Sequence, residues 1–436
     1  MIAGSATRII NCQIGDDLAG QLHRRFCTRI RDDLEANFFY LSDGEESVLL
    51  VNLDLAGLFE WSCAREMTAA MSASSGVADR NIIITSTHTH AAPDTLGLLF
   101  DSPKNEMYVA ALKDWLADGA SEAVANARPA RVGWGMGEAH VGFNRRLCWA
   151  DGTHSMYGDS TRPDFIGLEG PDDPSHSVLF AGDGAGPIAI LQANCCHSTC
   201  VESSDFASAD FPGEARRLLR EELQQDVPVL YLQGASGDIS PRDMMRPPAP
   251  YDGEARMREI GPLMATETRR LMDAAELVDD PILRHVHDDI SVDVRLPTEE
   301  AVRHAEAMEA AGEESAPRGE YILQVSGALR LHRAFNDDPV DTLAIHALRI
   351  GDLGIVTNPC ELYCQFGLDI KRRSPAPLTM VGQLADGFSG YCPTTGALMG
   401  GGYSADPTYW ARLETAAGDR IVDASSRLLH QLWAEE

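Results

Sequence analysis

The chain has 436 residues, enough to bury a large core in one or two domains, and its 44% hydrophobic and 23% charged content is that of a soluble globular protein. A formal net charge of −30 argues against nucleic acid, which demands clustered cations, and against simple electrostatic docking on anionic membranes. No apolar run approaches the roughly 20 residues needed to span a bilayer, and the N-terminus has no recognisable secretory signal, so a cytoplasmic protein with no integral membrane segment is expected.

In chain order, Ser47 to Leu58 reads as a largely apolar strand, Arg80 to Thr87 as a second and Met107 to Ala127 as a helix. Strands follow at Arg131 to Glu138 and Gly186 to Cys195. The Gly-, Pro-, Asp- and Ser-rich stretch from Cys148 to Asp183 between them reads as a long irregular excursion. A helix over Phe211 to Gln225, with Pro212 in its first turn, precedes the all-apolar strand Val227 to Leu232, which delivers a Gly-rich turn at Gln233 to Asp238. Helices at Glu254 to Ala275 and Glu299 to Gly312 flank a strand at Arg284 to Leu296. The C-terminal part gives strands at Thr342 to Thr357 and Leu378 to Gln383, a helix over Glu361 to Arg373 and a terminal helix from about Asp406 to Trp433. The alternation predicts an α/β class with a mixed β-sheet core flanked by helices, and no internal boundary divides residues 1–436.

The most informative segment is Arg80 to Pro93, RNIIITSTHTHAAP, where an apolar strand runs into His88 and His90 and stops at a proline. Spacing of i, i+2 puts two strand residues on one face, at the strand end where α/β folds keep their chemistry. A metal site is the leading reading, although a lone pair of this kind more often merely packs. The same spacing recurs at His285 and His287, but there a plain alternating strand continues, and that pair reads as a solvated face. The ten cysteines read as buried thiols rather than a disulfide frame. Cys195, Cys196 and Cys200 around His197 do not have zinc-knuckle spacing, since adjacent strand residues point to opposite faces.

Other apolar strands also end in polar clusters: Asn194-Cys195-Cys196-His197, Gly237-Asp238-Ile239-Ser240-Pro241 and Thr357-Asn358-Pro359-Cys360-Glu361. Two histidine sites and a glutamate form the ligand set of a catalytic zinc that keeps one position open for water. Taken singly, His197 reads as a satisfied core histidine and Glu361 as a helix-opening acid.

THTH, FNRR at Phe143 to Arg146, NCCHST at Asn194 to Thr199, SADFPG at Ser208 to Gly213, GDISP, NPCEL, SGYCPT and the GGY ending at Tyr403 follow one another in an order that resembles the catalytic domain of the neutral, non-lysosomal ceramidases. The resemblance implies a single catalytic domain over residues 1–436 without that family's C-terminal β-sandwich, and a Zn2+-dependent hydrolase that cleaves an N-acyl amide with zinc-activated water. It implies His88, His197, Glu361 and Tyr391 as metal ligands, and His90, Arg145 and Tyr403 as donors to the oxyanion. Ser240 falls at the serine of the family's GDVSP motif and takes a supporting role. The substrate implied is a small-molecule or lipid-like N-acyl compound; homo-oligomerisation stays open. The chain departs from the family pattern in reading His197-Ser198-Thr199 for histidine-proline-threonine and Gly396-Ala397 for an acidic pair. No amphipathic segment suited to lifting a two-chain lipid from a membrane is evident. A smaller amide, an ester or a lactone would suit the same groups. A serine hydrolase built on Ser240 and a non-catalytic binding protein are the readings from other classes.

Overall fold

One parallel strand pair in each of the three larger sheets organises the molecule, and the carboxyl ends of these pairs meet. The computed structural model describes residues 1–58, 61–246 and 250–434. In the first sheet β1 (Ile2–Ile9), β2 (Glu35–Ser42) and β3 (Ser47–Leu53) are antiparallel. Helix α1 (Trp61–Ser75) then carries the chain over to β4 (Ile82–Ser86), which pairs in parallel with β3, and α2 (Glu106–Ala125) packs on α1 and β1. In the second sheet β5 (Arg131–Glu138), β6 (Ser175–Asp183) and β7 (Gly186–Asn194) are antiparallel. The crossover helix α3 (Asp210–Leu223) leads to β8 (Val229–Gln233), parallel to β7, and α3 packs against α4 (Gly253–Ala274).

The third sheet repeats the scheme. Strand β9 (Leu283–Asp293) precedes α5 (Glu299–Ala311), and β10 (Val340–Ile350) pairs with β9 and with β11 (Leu353–Thr357), both antiparallel. A three-residue strand β12 (Cys360–Leu362) and helix α6 (Cys364–Arg373) lead to β13 (Leu378–Gly382), which is parallel to β11. Strand β14 (Gly390–Cys392) pairs in parallel with β12, and α7 (Ala417–Ala434) covers the sheet.

Strands β4, β8 and β11 are buried along their whole length, as two-sided parallel strands require. Phe39 and Ile83 of the first sheet, Leu191 and Leu230 of the second, and Leu348, Ile355 and Met380 of the third lie in one apolar cluster. Side-chain and backbone bonds lock the strand ends: Asn52 Nδ2 donates to Tyr231 O at 2.9 Å, and Gln383 N donates to Gln233 O at 2.9 Å. No helix among the described residues is long and apolar enough to cross a membrane.

The α/β class and the mixed sheets with flanking helices agree with the sequence reading. Four details do not. Residues 148–183 are not irregular: a small sheet of Arg146–Trp149, His154–Met156 and Phe165–Leu168 precedes β6. Thr342 to Thr357 is a hairpin, turned at Gly351 with φ +58°. The last helix starts at Ala417, not near Asp406. Glu361 sits on β12, ahead of α6, so it is no helix-opening acid. Eight of the ten cysteines are buried, as expected, Cys63 and Cys148 are half-buried, and Cys195 and Cys196 pack into different apolar clusters.

Candidate metal centre

His88 follows β4 directly, and its backbone lies in the left-handed region at φ +60°, which a non-glycine residue holds at a cost of about 1–3 kcal/mol. Two bonds impose that conformation: His88 N donates to Leu55 O at 2.9 Å, and the ring Nδ1 lies 2.5 Å from Ala56 O. His197, after β7, is held alike, with Nδ1 2.6 Å from Ser236 O. A carbonyl accepts only, so both rings carry their proton on Nδ1 and present a bare Nε2 inward. His197 Nε2 also takes a bond from the Arg145 guanidinium at 3.0 Å, which requires a lone pair there.

Glu361 on β12 stands opposite Tyr391 on β14 in the parallel register, which sets their side chains on one face. The glutamate Oε2 lies 3.0 Å from His197 Nε2 and 3.6 Å from His88 Nε2. Burial, reinforced by the Arg145 charge, pushes the His197 imidazole down to about 3, so it is neutral. A carboxylate oxygen and a neutral imidazole lone pair at 3.0 Å are two acceptors facing each other. A cation between them is what this donor set fits.

His90 lies in the same knot. The imidazole ligand atoms of His88, His90 and His197 lie within 4.8 Å of one another, with His90 Nε2 3.2 Å from His88 Nε2. Its Nδ1 has no hydrogen-bond partner among the described residues and is 3.7 Å from Glu202 Oε2, and burial and the two other histidines lower its pKa well below the usual value. Gly20 makes this possible, since a Cβ at that residue would fall 2.3 Å from the His90 ring.

Arg145 is buried and fixed by Gly237 O at 2.9 Å, Tyr157 Oη at 3.0 Å and Tyr391 Oη at 3.3 Å. Tyr391 is also hydrogen-bonded to Glu361, and burial raises its phenol pKa well above normal. The Tyr403 ring stands 5.8 Å from that of Tyr391. A cavity of about 60 Å³ opens beside these groups, lined by His88, His90, Glu361, Tyr391 and Tyr403 and by apolar side chains including Leu18, Leu96, Phe388 and Trp410.

The structure thus gathers His88, His90, Arg145, His197, Glu361, Tyr391 and Tyr403 into one site. It does not bring Ser240 there. That hydroxyl is buried, bonds with the backbone of Arg242 at 3.3 Å and does not line the cavity. Tyr157 and Glu202 escaped the sequence reading. Tyr157 came from the stretch read as irregular, while Glu202 five residues after His197 was a detectable acid.

No model of a known protein family matches the chain. Neutral ceramidase of Pseudomonas aeruginosa is 26% identical over 229 residues, which is 49% of this chain and 32% of the relative. The chain therefore matches about a third of the length of that curated protein. Among solved structures, a ceramidase complexed with C2 superposes with a TM-score of 0.75 at 17% identity, covering 99% of this chain and 75% of the other. A crystal structure of neutral ceramidase from Pseudomonas aeruginosa gives 0.74 at 19% identity, covering 99% and 74%. In fold throughout, and in sequence over about half its length, the chain is similar to neutral ceramidases.

Proposed function

We propose that this chain is a zinc-dependent hydrolase of N-acyl amides, with a ceramide-like compound as its substrate class. The observation that carries the reading is the convergence of two bare imidazole nitrogens on a buried carboxylate beside a fixed guanidinium and an apolar cavity. His88, His197, Glu361 and Tyr391 would hold the ion. Bound there, zinc would supply Lewis acidity toward the acyl carbonyl and a lowered pKa for water.

The remaining work falls to the chain. Arg145 cannot rotate away, because Gly237 O and Tyr157 hold it, and its permanent charge is aimed where the carbonyl oxygen becomes negative. His90 and the Tyr403 hydroxyl are the further donors for that oxygen. The apolar wall of Leu18, Leu96, Phe388 and Trp410 would shelter the acyl chain from water. The Ser240 reading has no base hydrogen-bonded to the hydroxyl among the described residues to support it.

The test is elemental analysis together with hydrolysis of N-acyl sphingosines of graded acyl length, before and after chelation. His197→Ala should lose both ion and activity. His90→Ala should keep the ion and lose roughly 10²- to 10³-fold in kcat. Full zinc content in His197→Ala, or activity indifferent to chelation, overturns the reading.

A further inference from the structure

His285 and His287, which the sequence presents as a solvated pair, form part of a second cluster. His287 is indeed exposed, but its ring stacks 5.6 Å from that of His346 and His285 stacks on both. The register places His346 of β10 directly opposite His287 of β9. His287, His346, Asp289 and Asp386 line a cavity of about 210 Å³, separate from the centre described above.

The hydrogen bonds around His346 have one consistent direction. Asn81 Nδ2 donates to Glu46 Oε1 at 2.5 Å and to Ser47 O at 2.7 Å, which leaves its Oδ1 as an acceptor toward His285 Nδ1 at 3.3 Å. His285 therefore carries its proton on Nδ1, and its Nε2 accepts from His346 Nδ1 at 3.0 Å. What remains on His346 is a bare Nε2. It faces Asp386 Oδ2 at 3.3 Å, and that oxygen has no hydrogen-bond partner among the described residues. Both side chains are more than nine-tenths buried, at 5% and 8% exposure.

We propose that this cavity is a second divalent-metal site, with His346 Nε2 and Asp386 Oδ2 as its buried ligands, and that the exposed side chains of His287 and Asp289, which line the same cavity, turn inward to complete it when the ion binds. A neutral imidazole among the donors selects borderline ions such as Zn2+, Co2+ or Ni2+ over Ca2+ and Mg2+. Arg65 and Arg80 also line the cavity, but an anion held by them would meet the uncompensated Asp386 carboxylate. The backbone gives the ion a structural task. Asp386 N donates to Ile84 O and its Oδ1 accepts from Ile84 N at 2.9 Å, so the ion would clamp the loop that carries Phe388 and Tyr391 onto β4 and β10.

The experiment is equilibrium dialysis of the metal-stripped full chain against Co2+, with ions per chain measured by elemental analysis. Two ions per chain are expected for the unaltered protein. Asp386→Asn should bind one, and His287→Ala, an exposed change that spares the fold, should weaken one of the two by roughly tenfold or more. His197→Ala should keep the ion that Asp386→Asn loses, which separates this site from the proposed catalytic one. A protein that takes up only the ion lost in His197→Ala, or whose stoichiometry and affinity are untouched by both Asp386→Asn and His287→Ala, overturns the proposal: Asp386 then holds a proton rather than a metal.

Discussion

Gly237 shows how tightly the centre is fixed at the level of single residues. Its carbonyl holds Arg145 and its N–H donates to Leu362 O at 2.8 Å, so one peptide positions both the guanidinium and the strand that bears Glu361. A Cβ there would stand 2.4 Å from Glu361 O and 2.9 Å from the Tyr363 ring, and the first of these neighbours is backbone that cannot swing aside. Gly237→Ala should therefore displace Glu361 and weaken zinc binding by roughly 10- to 100-fold, the usual cost of disturbing a ligand's support. Competition titration with a chelating dye measures it. An affinity equal to wild type would mean that Glu361 is not a ligand. The residues brought together were legible only through the ordered motifs. Glu361 and Tyr391 lie 30 positions apart in sequence, and no periodicity announces that β12 and β14 pair. The apparent helix around Glu361 misled because CELYCQFGLDIKRR is amphipathic enough to read as one element, whereas its first three residues pair with β14.

Among the elements, strands with continuous apolar runs were the easiest to read. Arg131–Glu138 occurs with the bounds that its sequence suggests, and β8 and β13 lie within two residues of theirs. The short strands His154–Met156 and Phe165–Leu168 were hidden because they are only partly buried, so their sequence shows no alternation strong enough to stand out from turn residues. Helix α3 illustrates a different limit. Its start was placed correctly, yet nothing in the sequence shows that Asp210 is buried, at φ +55°, accepting from Val201 N at 2.9 Å and Phe211 N at 2.6 Å. Burial raises its carboxyl to about 6, outweighing the two backbone donors. A folded-state pKa above the unfolded value of 3.8 means that the native state binds the proton more tightly. The associated stability is present below pH 4 and is lost as pH rises through 6, by on the order of 3 kcal/mol. Urea unfolding at pH 4 and pH 7 should show this loss in the wild type and not in Asp210→Asn. Equal pH dependence in the two would place the ionised form of Asp210 on adequate partners.

At the scale of the whole molecule, the proposed ligand set ties together what the chain makes separately. His88 comes from the end of the first sheet, His197 from the second, and Glu361 and Tyr391 from the β12–β14 pair beside the third. None of these elements contributes two ligands to a local loop, so the unfolded chain has no preformed site and the ion binds the native state almost exclusively. Zinc should then stabilise the fold through mass action, by about 4 kcal/mol at a thousandfold excess over its dissociation constant. The sheets also share an apolar cluster, so they should unfold together and the gain should appear in one transition. Chelation should lower the melting midpoint as a single step, and added zinc should restore it. His197→Ala should melt near the chelated wild type, and its response to zinc should be limited to whatever the Asp386 cavity contributes. The double variant His197→Ala with Asp386→Asn should melt at the same temperature with zinc and with chelator. A zinc-dependent shift that persists undiminished in that double variant would mean that the ion grips the chain somewhere other than these two clusters.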